Sequence, residues 1–402
     1  MTMLTILSAG LLLMALVPLG YLCILTLAAL RPAPPTTMRR VPSHRCIIAV
    51  PAHDEADVIE DTVRRLMTMD YPRNLFSVHI VADHCTDATA ALARGAGAIV
   101  HERAEEPRTG KGPALSWLLE RVLDGGFDAV VIFDADTRVE RDFLRVMDAR
   151  LAGGDEVIQG QHIISNPGQG WFPALTWAMF LVDNRFQNLG RANLGWSAKH
   201  MGDSICFRAD ILRRIGWGEG LTEDYQLRQR LLLEGIRIAY EPAARGYGEA
   251  PRTWRQAQLQ RSRWLRGTHD ASQKLGRRLL AAAVKRRNAA MLDGALQATL
   301  PSFSTLTLAC GVMVAFQATI NAWTRFLFPR GLMGAWVGVL GLLFVYPFVG
   351  LALERAPLRA YLAILSGPLF IVWRTWLAVK SRFGGERVVW VRTAHGSGGR
   401  TP

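Results

Sequence analysis

Four groups of polar residues that could carry out chemistry occur in a fixed order along the chain. They are Asp83, then Asp134 with Asp136, then Glu223 with Asp224, and finally the segment Gln260-Arg261-Ser262-Arg263-Trp264. Carboxylates can hold a divalent cation or accept a proton, and arginine can hold a phosphate group. One reaction that uses all of these parts is the transfer of a sugar from a nucleoside diphosphate. A single D-x-D tripeptide would be weak support, and the ordered set is much stronger.

Asp134 and Asp136 follow the apolar run 129–133 and lie on one face of an extended segment. Two carboxylates in this arrangement suit a hard divalent ion whose other ligands come from substrate phosphates. We therefore expect Mg²⁺ or Mn²⁺, which would neutralise charge on a departing nucleoside diphosphate. The alternative interpretation is a pair of solvated aspartates in a turn.

Glu223 and Asp224 begin a predicted helix that ends near Gly235. Thr222 is expected to cap this helix, which places both carboxylates in its first turn. The helix dipole favours ionised carboxylates there, so Asp224 could accept the proton of an acceptor hydroxyl. One base is sufficient for direct displacement with inversion, whereas hydrolysis uses a pair of carboxylates. The alternative is an ordinary acidic first turn that only complements the dipole.

Gln260, Arg263 and Trp264 fall on a predicted basic helix, where positions three or four apart share a face. Arg263 could hold a diphosphate, Trp264 offers a flat surface for a sugar ring, and Gln260 could donate a hydrogen bond to either. The alternative is a helix on the membrane surface with a buried tryptophan.

Short apolar runs alternate with helical patterns in the middle of the chain. The runs predicted as strands are 46–50, 76–82, 98–101 and 129–133. This alternation predicts an α/β fold with a mostly parallel sheet, in which ligands bind beyond the carboxyl ends of the strands. The loop 51–55, Asp83 and Asp134 all follow strand ends, so we expect them to share one rim.

Several classes of protein are poor fits to the sequence. No G-x-G-x-x-G follows the first strand, and the segment around Lys111 lacks the spacing of a phosphate loop, which argues against dinucleotide oxidoreductases and ATPases. Lys111 could still reach a phosphate, although a solvated loop lysine is at least as good an interpretation. The five cysteines include no pair at metal-ligand spacing, which argues against zinc and against a disulfide framework.

The composition predicts a membrane protein. The chain has 402 residues, 50% of them hydrophobic, and a formal net charge of +13. Residues 4–30 form an apolar run long enough to span a bilayer, and the run lacks the basic leading segment of a cleaved signal peptide. Arg31, Arg39 and Arg40 follow it, so we expect the next domain to be cytoplasmic.

Further apolar segments lie at residues 300–328, 332–353 and 358–379. If all three spanned the bilayer, the arginine-rich tail would lie outside, contrary to its preference for the cytoplasm. We expect the segment 358–379 not to span, because Pro368 interrupts it and Arg374 lies between two tryptophans.

Residues 276–287 combine five basic side chains with interleaved leucine and valine. This pattern predicts an amphipathic helix on the inner leaflet, and the alternative is a solvated charged helix. The excess positive charge is therefore assigned to phospholipid, with no nucleic acid as a partner, because no aromatic and basic platform accompanies it.

With these residues in place, the segment 41–267 resembles the family-2 glycosyltransferases with a GT-A fold, in particular the membrane branch of cellulose, chitin and hyaluronan synthases. The resemblance implies that the loop bearing Pro51, His53 and Glu55 contacts the uridine of the donor together with Asp83. It also implies that the D-x-D binds nucleotide and metal.

The same resemblance assigns the base to the second residue of Glu223-Asp224. It further implies that Gln260, Arg263 and Trp264 close over donor and acceptor. One feature departs from the synthases: Gly202-Asp203-Ser204 replaces their aromatic-Cys-Gly acceptor motif. A further likeness lies in the tail, where Trp390-Val391-Arg392-Thr393 is similar to a basic ending found in some of them.

We divide the chain into an N-terminal transmembrane helix (1–34), a cytoplasmic catalytic domain (35–270), amphipathic interfacial helices (271–299), C-terminal transmembrane or interfacial helices (300–380) and a basic cytoplasmic tail (381–402). The expected location is the inner (plasma) membrane, with several spans.

The expected activity is transfer from a UDP-sugar to a growing β-linked polysaccharide. An alternative, similar to ceramide glucosyltransferases, is addition of one sugar to a membrane lipid. A third interpretation is a transporter or receptor with a degenerate transferase domain, and it is disfavoured by the intact aspartates. An oligomer or an export partner is a further possible partner, because few membrane helices are available in one chain to form a channel.

Overall fold

The computed structural model describes residues 3–38, 41–106, 110–218, 220–324 and 327–383. The chain begins with helix α1, Met3–Ala28, which corresponds to the first predicted span. The predicted basic tail from residue 384 onward, with Trp390 to Thr393, lies outside the described residues, as do Arg39 and Arg40.

A single α/β domain follows α1. Its strands are β1 Cys46–Ala52, β2 Phe76–Asp83, β3 Ile99–Arg103, β4 Ala129–Ile132, β5 Arg138–Val139, β6 Val157–Ile164, β7 Ile205–Arg208 and β8 Ile238–Gly248. Its helices are α2 Ile59–Leu66, α3 Thr89–Gly95, α4 Lys111–Val122, α5 Phe143–Ala152, α6 Trp171–Asp183, α7 Gly190–Asn193, α8 Ala209–Ile215 and α9 Glu223–Leu233. A π-helical turn, Asn184–Leu189, joins α6 to α7.

The strands form one eight-stranded sheet in the order β3-β2-β1-β4-β7-β6-β8-β5. The pairs β3–β2, β2–β1 and β1–β4 are parallel, and so is the pair β6–β8. Strand β7 is antiparallel to both β4 and β6, and β5 is antiparallel to β8. The predicted fold class, a mostly parallel sheet with helices before and after the domain, is confirmed.

Both faces of the sheet are buried, which explains why β1 is a continuous apolar run. Ile48 and Val50 point to one side and pack with residues of α2 and α5. Ile47 and Ala49 point to the other side and pack with α4, α8 and α9. The sheet is therefore clamped between helical layers, and its carboxyl-end rim is held in a fixed position.

Helix α10, Trp254–Arg286, is 33 residues long and contains the whole Q-x-x-R-W segment. Thr253 caps it with a capping box formed with Gln256. The predicted separate amphipathic helix at 276–287 is the last part of α10, so the helix crosses the boundary that we expected at residue 270. Residues 254–286 contain no proline, so no residue of this segment lacks the backbone N–H that the helix needs, and one long helix forms.

The basic end of α10 divides its apolar residues between two environments. Leu279 is buried against Leu232 of α9 and against α11, Ala289–Thr299. Leu280 and Val284 are exposed, at 42% and 71%. One apolar face thus serves the domain, and a second face stays available to a membrane surface.

The C-terminal helices are α12 Phe303–Thr324, α13 Arg330–Leu353, α14 Leu358–Ile364 and α15 Gly367–Phe383. Within the described ranges, α1, α12 and α13 are long and apolar enough to cross a membrane. Helices α14 and α15 are bent by 47° at the break just before Pro368, in the segment that we expected not to span. Ser8 of α1 accepts hydrogen bonds from Gln317 and Trp336, each at 3.0 Å, and so ties the three long helices together.

Candidate active site

The predicted rim exists at the carboxyl ends of the parallel strands. Pro51 lies near the end of β1, Asp83 is the last residue of β2, and Asp134 follows β4 by two positions. Parallel pairing of β1 with both neighbours brings these three ends together. The sequence argument from strand ends therefore placed these residues correctly.

The loop after β1 is fixed by hydrogen bonds to the region after β2. Nδ1 of His53 lies 2.7 Å from the backbone oxygen of Asp83. The backbone N–H of Glu55 donates to Oγ1 of Thr89 at 2.7 Å. Asp54 adopts a φ of 52°, and its carboxylate accepts a hydrogen bond from the backbone N–H of Thr86 at 2.7 Å. These contacts preset the position of the predicted nucleotide-binding loop.

Asp83 is buried, and its charge is compensated by a partner that the sequence analysis missed. Nη1 of Arg103 donates to Oδ1 of Asp83 at 2.5 Å, and Nδ1 of His84 lies 2.9 Å from the same oxygen. Asp83 and Arg103 are paired across β2 and β3, so sheet register creates the ion pair. Register between distant strands could not be read from the local sequence.

Lys111 begins α4 and points into the rim. Its Nζ donates to Oδ1 of Asp134 and, at 2.7 Å, to the carbonyl oxygen of Gly202. Burial acts to lower the pKa of Lys111, but the carboxylates of Asp134 and Glu223 outweigh burial and raise it. Lys111 therefore remains a fixed cation inside the site, and the interpretation as a solvated loop lysine is wrong.

A second group of polar residues behind the D-x-D was not recognised as a unit in the sequence. Oδ1 of Asp203 lies 2.7 Å from Nδ1 of His162, and Oδ2 accepts a hydrogen bond from Thr137 at 3.0 Å. Burial acts to lower the pKa of His162, yet Asp203, Asp134 and Asp136 together raise it. His162 is thus close enough to the D-x-D for both of its carboxylates to act on it. Only the Gly202-Asp203-Ser204 departure hinted at this group in the sequence.

Glu223 and Asp224 occupy the first turn of α9, as predicted, but burial acts against their ionisation. Burial raises the pKa of Glu223 to about 7, and the neighbouring charge of Asp224 adds to the effect. Burial also raises the pKa of Asp224, whereas Lys111 and Arg263 oppose the rise. Desolvation therefore outweighs the helix dipole that we expected to favour ionisation.

Thr222 occupies the N-cap position of α9, but its side chain makes no capping hydrogen bond, so the predicted cap is wrong. Its Oγ1 is buried without a hydrogen-bond partner among the described residues. Gly267 of α10 packs directly on this side chain, because a Cβ there would lie 2.5 Å from Oγ1. The start of α9 is thus packed against α10 and is not capped by the Thr222 side chain.

The Q-x-x-R-W residues of α10 face different neighbours. Arg263 lies near the carboxylates of Glu223 and Asp224, since its charge lowers the pKa of both. Trp264 lies under the guanidinium of Arg261, whose Cζ is 4.9 Å from the ring centroid. Gln260 is partly buried. The structure thus brings Arg263 to the predicted base and gives Trp264 a cationic neighbour.

Asp134 and Asp136 are the residues best suited to hold a divalent cation. Asp134 is 43% exposed at the rim, where the ammonium of Lys111 partly neutralises its charge. Oxygen ligands from two carboxylates fit Mg²⁺ or Mn²⁺. The chemistry of this donor set therefore fits the metal that the D-x-D predicts.

A second possible metal group lies on the nucleotide side of the rim. Ligand atoms of His53, Asp54 and Cys85 all lie within 4.8 Å of one another. The spacing of the cysteines did not predict this group, because His53 and Cys85 come from different loops. The five cysteines, all within the described ranges, form no disulfide, as expected.

Comparison with known proteins gives a family match for this region. Residues 44–267 match the family model described as glycosyltransferase like family 2. The β-monoglucosyldiacylglycerol synthase of Synechocystis sp. is 28% identical over 251 residues, covering 57% of this chain and 49% of that protein. The poly-β-1,6-N-acetyl-D-glucosamine synthase of Staphylococcus aureus is 27% identical over 228 residues, covering 54% and 53%. The chain spans about half the length of these curated relatives.

The whole fold is similar to that of a solved enzyme. The mannosyltransferase PcManGT from Pyrobaculum calidifontis, in complex with GDP-Man and Mn²⁺, superposes with a TM-score of 0.58 at 19% sequence identity. The likeness covers 95% of this chain and 99% of that one, so it includes the terminal helices as well as the central domain.

Proposed function

The chain belongs to the family-2 glycosyltransferases, and we propose that it is a membrane-bound, metal-dependent, inverting hexosyltransferase that uses a UDP-sugar. The proposed acceptor is a growing β-linked polysaccharide, with a membrane lipid as the alternative. The observation that carries the proposal is the meeting of Lys111, Asp134, Asp224 and Arg263 at one rim. Their charges match those of a diphosphate, a metal ion and an acceptor hydroxyl.

Donor binding is assigned to the residues around β1, β2 and β4. The loop with Pro51, His53 and Glu55 would hold the nucleoside together with Asp83. Asp134 and Asp136 would hold Mg²⁺ or Mn²⁺, which supplies positive charge against the diphosphate as it leaves.

Two side chains add fixed positive charge for the diphosphate. Lys111 is a buried cation at the rim, and Arg263 approaches from α10. Preorganised cations of this kind stabilise charge that develops in the transition state.

The sugar transfer itself needs one base. Asp224 would accept the proton of the acceptor hydroxyl while the acceptor oxygen bonds to C1 of the sugar. The bond between C1 and the diphosphate oxygen breaks, and UDP leaves with the electron pair. One displacement inverts the configuration at C1. Burial of Asp224 suits this role, because a raised pKa makes a carboxylate a stronger base.

The proposed location is the inner membrane, with several spans and a cytoplasmic catalytic domain. Arg31, directly after α1, supports this orientation, as do the basic residues at the end of α10. A cytoplasmic domain would also have access to UDP-sugars. Membrane phospholipid is then a partner of the exposed face of α10.

The two versions of the proposal differ in the acceptor, which is a polysaccharide in one and a membrane lipid in the other. The S. aureus relative is named as a polysaccharide synthase, and the Synechocystis relative is named as a synthase of a glycolipid. Among the described residues, three long apolar helices, or four if α14 and α15 form one bent span, are available to form a channel, so the polysaccharide version calls for an oligomer or an export partner.

The test is to incubate the purified full chain, in lipid nanodiscs, with radiolabelled UDP-glucose or UDP-N-acetylglucosamine and to size the products. A labelled polymer supports the synthase version, and a single-sugar lipid supports the alternative. Asp224→Asn serves as the inactive control. Absence of sugar transfer from any UDP-sugar, in the presence of Mg²⁺ or Mn²⁺, would contradict the proposal.

A further inference from the structure

Arg261 lies on a different side of α10 from the catalytic carboxylates. Positions two apart on a helix do not share a face, so Arg263 approaches Asp224 whereas Arg261 points elsewhere. Its guanidinium lies over two aromatic rings, with Cζ 4.9 Å from the centroid of Trp264 and 5.6 Å from that of Phe370. Phe370 belongs to α15, so Arg261 lies in the junction between α10 and the last helix.

Arg374 of α15 enters the same junction. Its Nη1 donates to Oγ of Ser302 at 2.7 Å, just before α12 begins. Burial and the nearby charge of Arg374 lower the pKa of Arg261 to about 9. The two arginines therefore repel each other in a partly buried place where α10, α12 and α15 meet.

This positive charge is not neutralised within the described part of the chain. No carboxylate there forms an ion pair with Arg261 or Arg374. The acidic residue that acts on Arg261 from a distance is Asp183, and both of its oxygens are held by Nζ of Lys199, at 2.6 and 2.8 Å. Two partly buried like charges without a counter-ion are costly, which calls for a ligand of opposite charge.

Hydrogen-bond donors at the junction are unsatisfied as well. Nε of Arg261 and Nε1 of Trp373 are buried and have no acceptor among the described residues. Phe370 links the two groups, because its ring lies 5.6 Å from the ring of Trp373. A ligand with several acceptor oxygens would satisfy both donors.

The walls of the junction are aromatic and partly exposed. The rings of Trp254 and Trp373 are 4.4 Å apart, and Trp254 is 48% exposed. Leu369 and Trp376 of α15 are also exposed, at 76% and 53%. Tryptophans beside exposed apolar side chains are typical of the bilayer interface, where phospholipid headgroups lie.

We propose that Arg261 and Arg374 bind the phosphate of an anionic membrane phospholipid, whose acyl chains lie along α15. This site is separate from the donor site and does not rest on the proposed function. It lies on α10 together with Arg263, so an occupied site would hold the donor-binding helix against α15. Bilayer composition would in this way influence the active site.

The test is to mix the full chain, purified in mild detergent, with phosphatidylglycerol or phosphatidylcholine and to measure retained lipid by native mass spectrometry. We expect the parent to retain phosphatidylglycerol in preference. Arg261→Gln and Arg374→Gln should each weaken retention roughly ten- to hundredfold, because one charged hydrogen-bond donor is lost. Arg261→Lys keeps the charge and should retain more lipid than Arg261→Gln.

The matched control is Arg255→Gln, which removes an exposed arginine of the same helix and should leave retention unchanged. Equal loss in this control would assign the effect to general surface charge and overturn the site. Equal retention of phosphatidylglycerol by all variants, or of both lipids by the parent, would also overturn it. Equally tight binding of free glycerol phosphate would show a soluble ligand instead of a lipid. No sugar donor is present, so the outcome is independent of sugar transfer.

Discussion

Gly267 of α10 packs against Thr222 at the start of α9 so closely that a Cβ atom on the glycine would lie 2.5 Å from Oγ1 of the threonine. Thr222 directly precedes Glu223 and Asp224. The missing side chain at Gly267 therefore sets the distance between the helix that carries Arg263 and the helix that carries Glu223 and Asp224.

Gly267→Ala should destabilise the protein and impair sugar transfer. The new methyl group would push α10 away from α9, at a cost of about 1–3 kcal/mol. The measurements are thermal unfolding and initial transfer rate. Gly95→Ala is the control, because its Cβ would meet nothing within 4 Å and alanine favours a helix. Equal unfolding temperatures and equal transfer rates for Gly267→Ala and Gly95→Ala would contradict the role assigned to the contact of Gly267 with Thr222.

The sequence predicted the parts of the site that depend on local pattern. Alternation of strands and helices placed Asp83 and Asp134 on one rim, and the family prediction was confirmed by the match over residues 44–267. The ion pair of Asp83 with Arg103 depends on strand register, which local sequence does not show.

Contacts between distant elements account for the remaining misses. The contact of Asp203 with His162 joins β6 to the loop before β7. Burial raises the pKa of Glu223, an effect that the sequence did not predict, since burial depends on what packs against α9 and could not be read from the first turn alone.

Asp224→Asn should bind UDP nearly as well as the parent and lose roughly 10²- to 10⁴-fold in transfer rate, because the amide keeps the shape and cannot accept the proton. Glu223→Gln is the matched control and should be milder. Single-turnover transfer and UDP titration separate the two effects. A rate for Asp224→Asn within a few-fold of the parent would remove this residue from the role of base.

Transfer should fall as the pH is lowered. Burial raises the pKa of Asp224, and a base must be ionised to act. The acidic limb of the rate profile should therefore lie at higher pH than the ordinary pKa of an aspartate. Lys111 lowers the pKa of Asp224 and that of Glu223, so Lys111→Met should shift the acidic limb to higher pH. The measurement is the pH profile of kcat, with the exposed Lys274→Met as control. An unshifted limb in Lys111→Met would contradict this coupling.

Removal of the metal should abolish transfer. EDTA is expected to stop the reaction, and Asp136→Ala should do the same because the diphosphate would leave without its counter-charge. Mn²⁺ binding, measured by electron paramagnetic resonance in the absence of donor, should be weakened in Asp136→Ala. Asp142→Ala, at the end of the loop after the D-x-D, is the control carboxylate. Full activity in excess EDTA would make the D-x-D a structural turn.

Arg263 and Trp264 are adjacent in sequence but should fail in different ways when replaced. Arg263 acts on the carboxylates of Glu223 and Asp224, whereas Trp264 lies under Arg261. Arg263→Ala should weaken UDP binding, because a charge-assisted contact to phosphate is removed. It should also move the acidic limb of the pH profile upward, since Arg263 lowers the pKa of both carboxylates.

Trp264→Ala should instead leave UDP binding largely intact and abolish transfer to a sugar-bearing acceptor, if the indole supports the acceptor ring. Its loss also exposes one side of Arg261, so Trp264→Phe is the conservative control that keeps an aromatic surface there. Titration of UDP onto the variants, together with transfer rates, is the direct measurement. Equal loss of UDP affinity in Arg263→Ala and Trp264→Ala, or unimpaired transfer by Trp264→Ala, would mean that this part of α10 only anchors the domain to the bilayer.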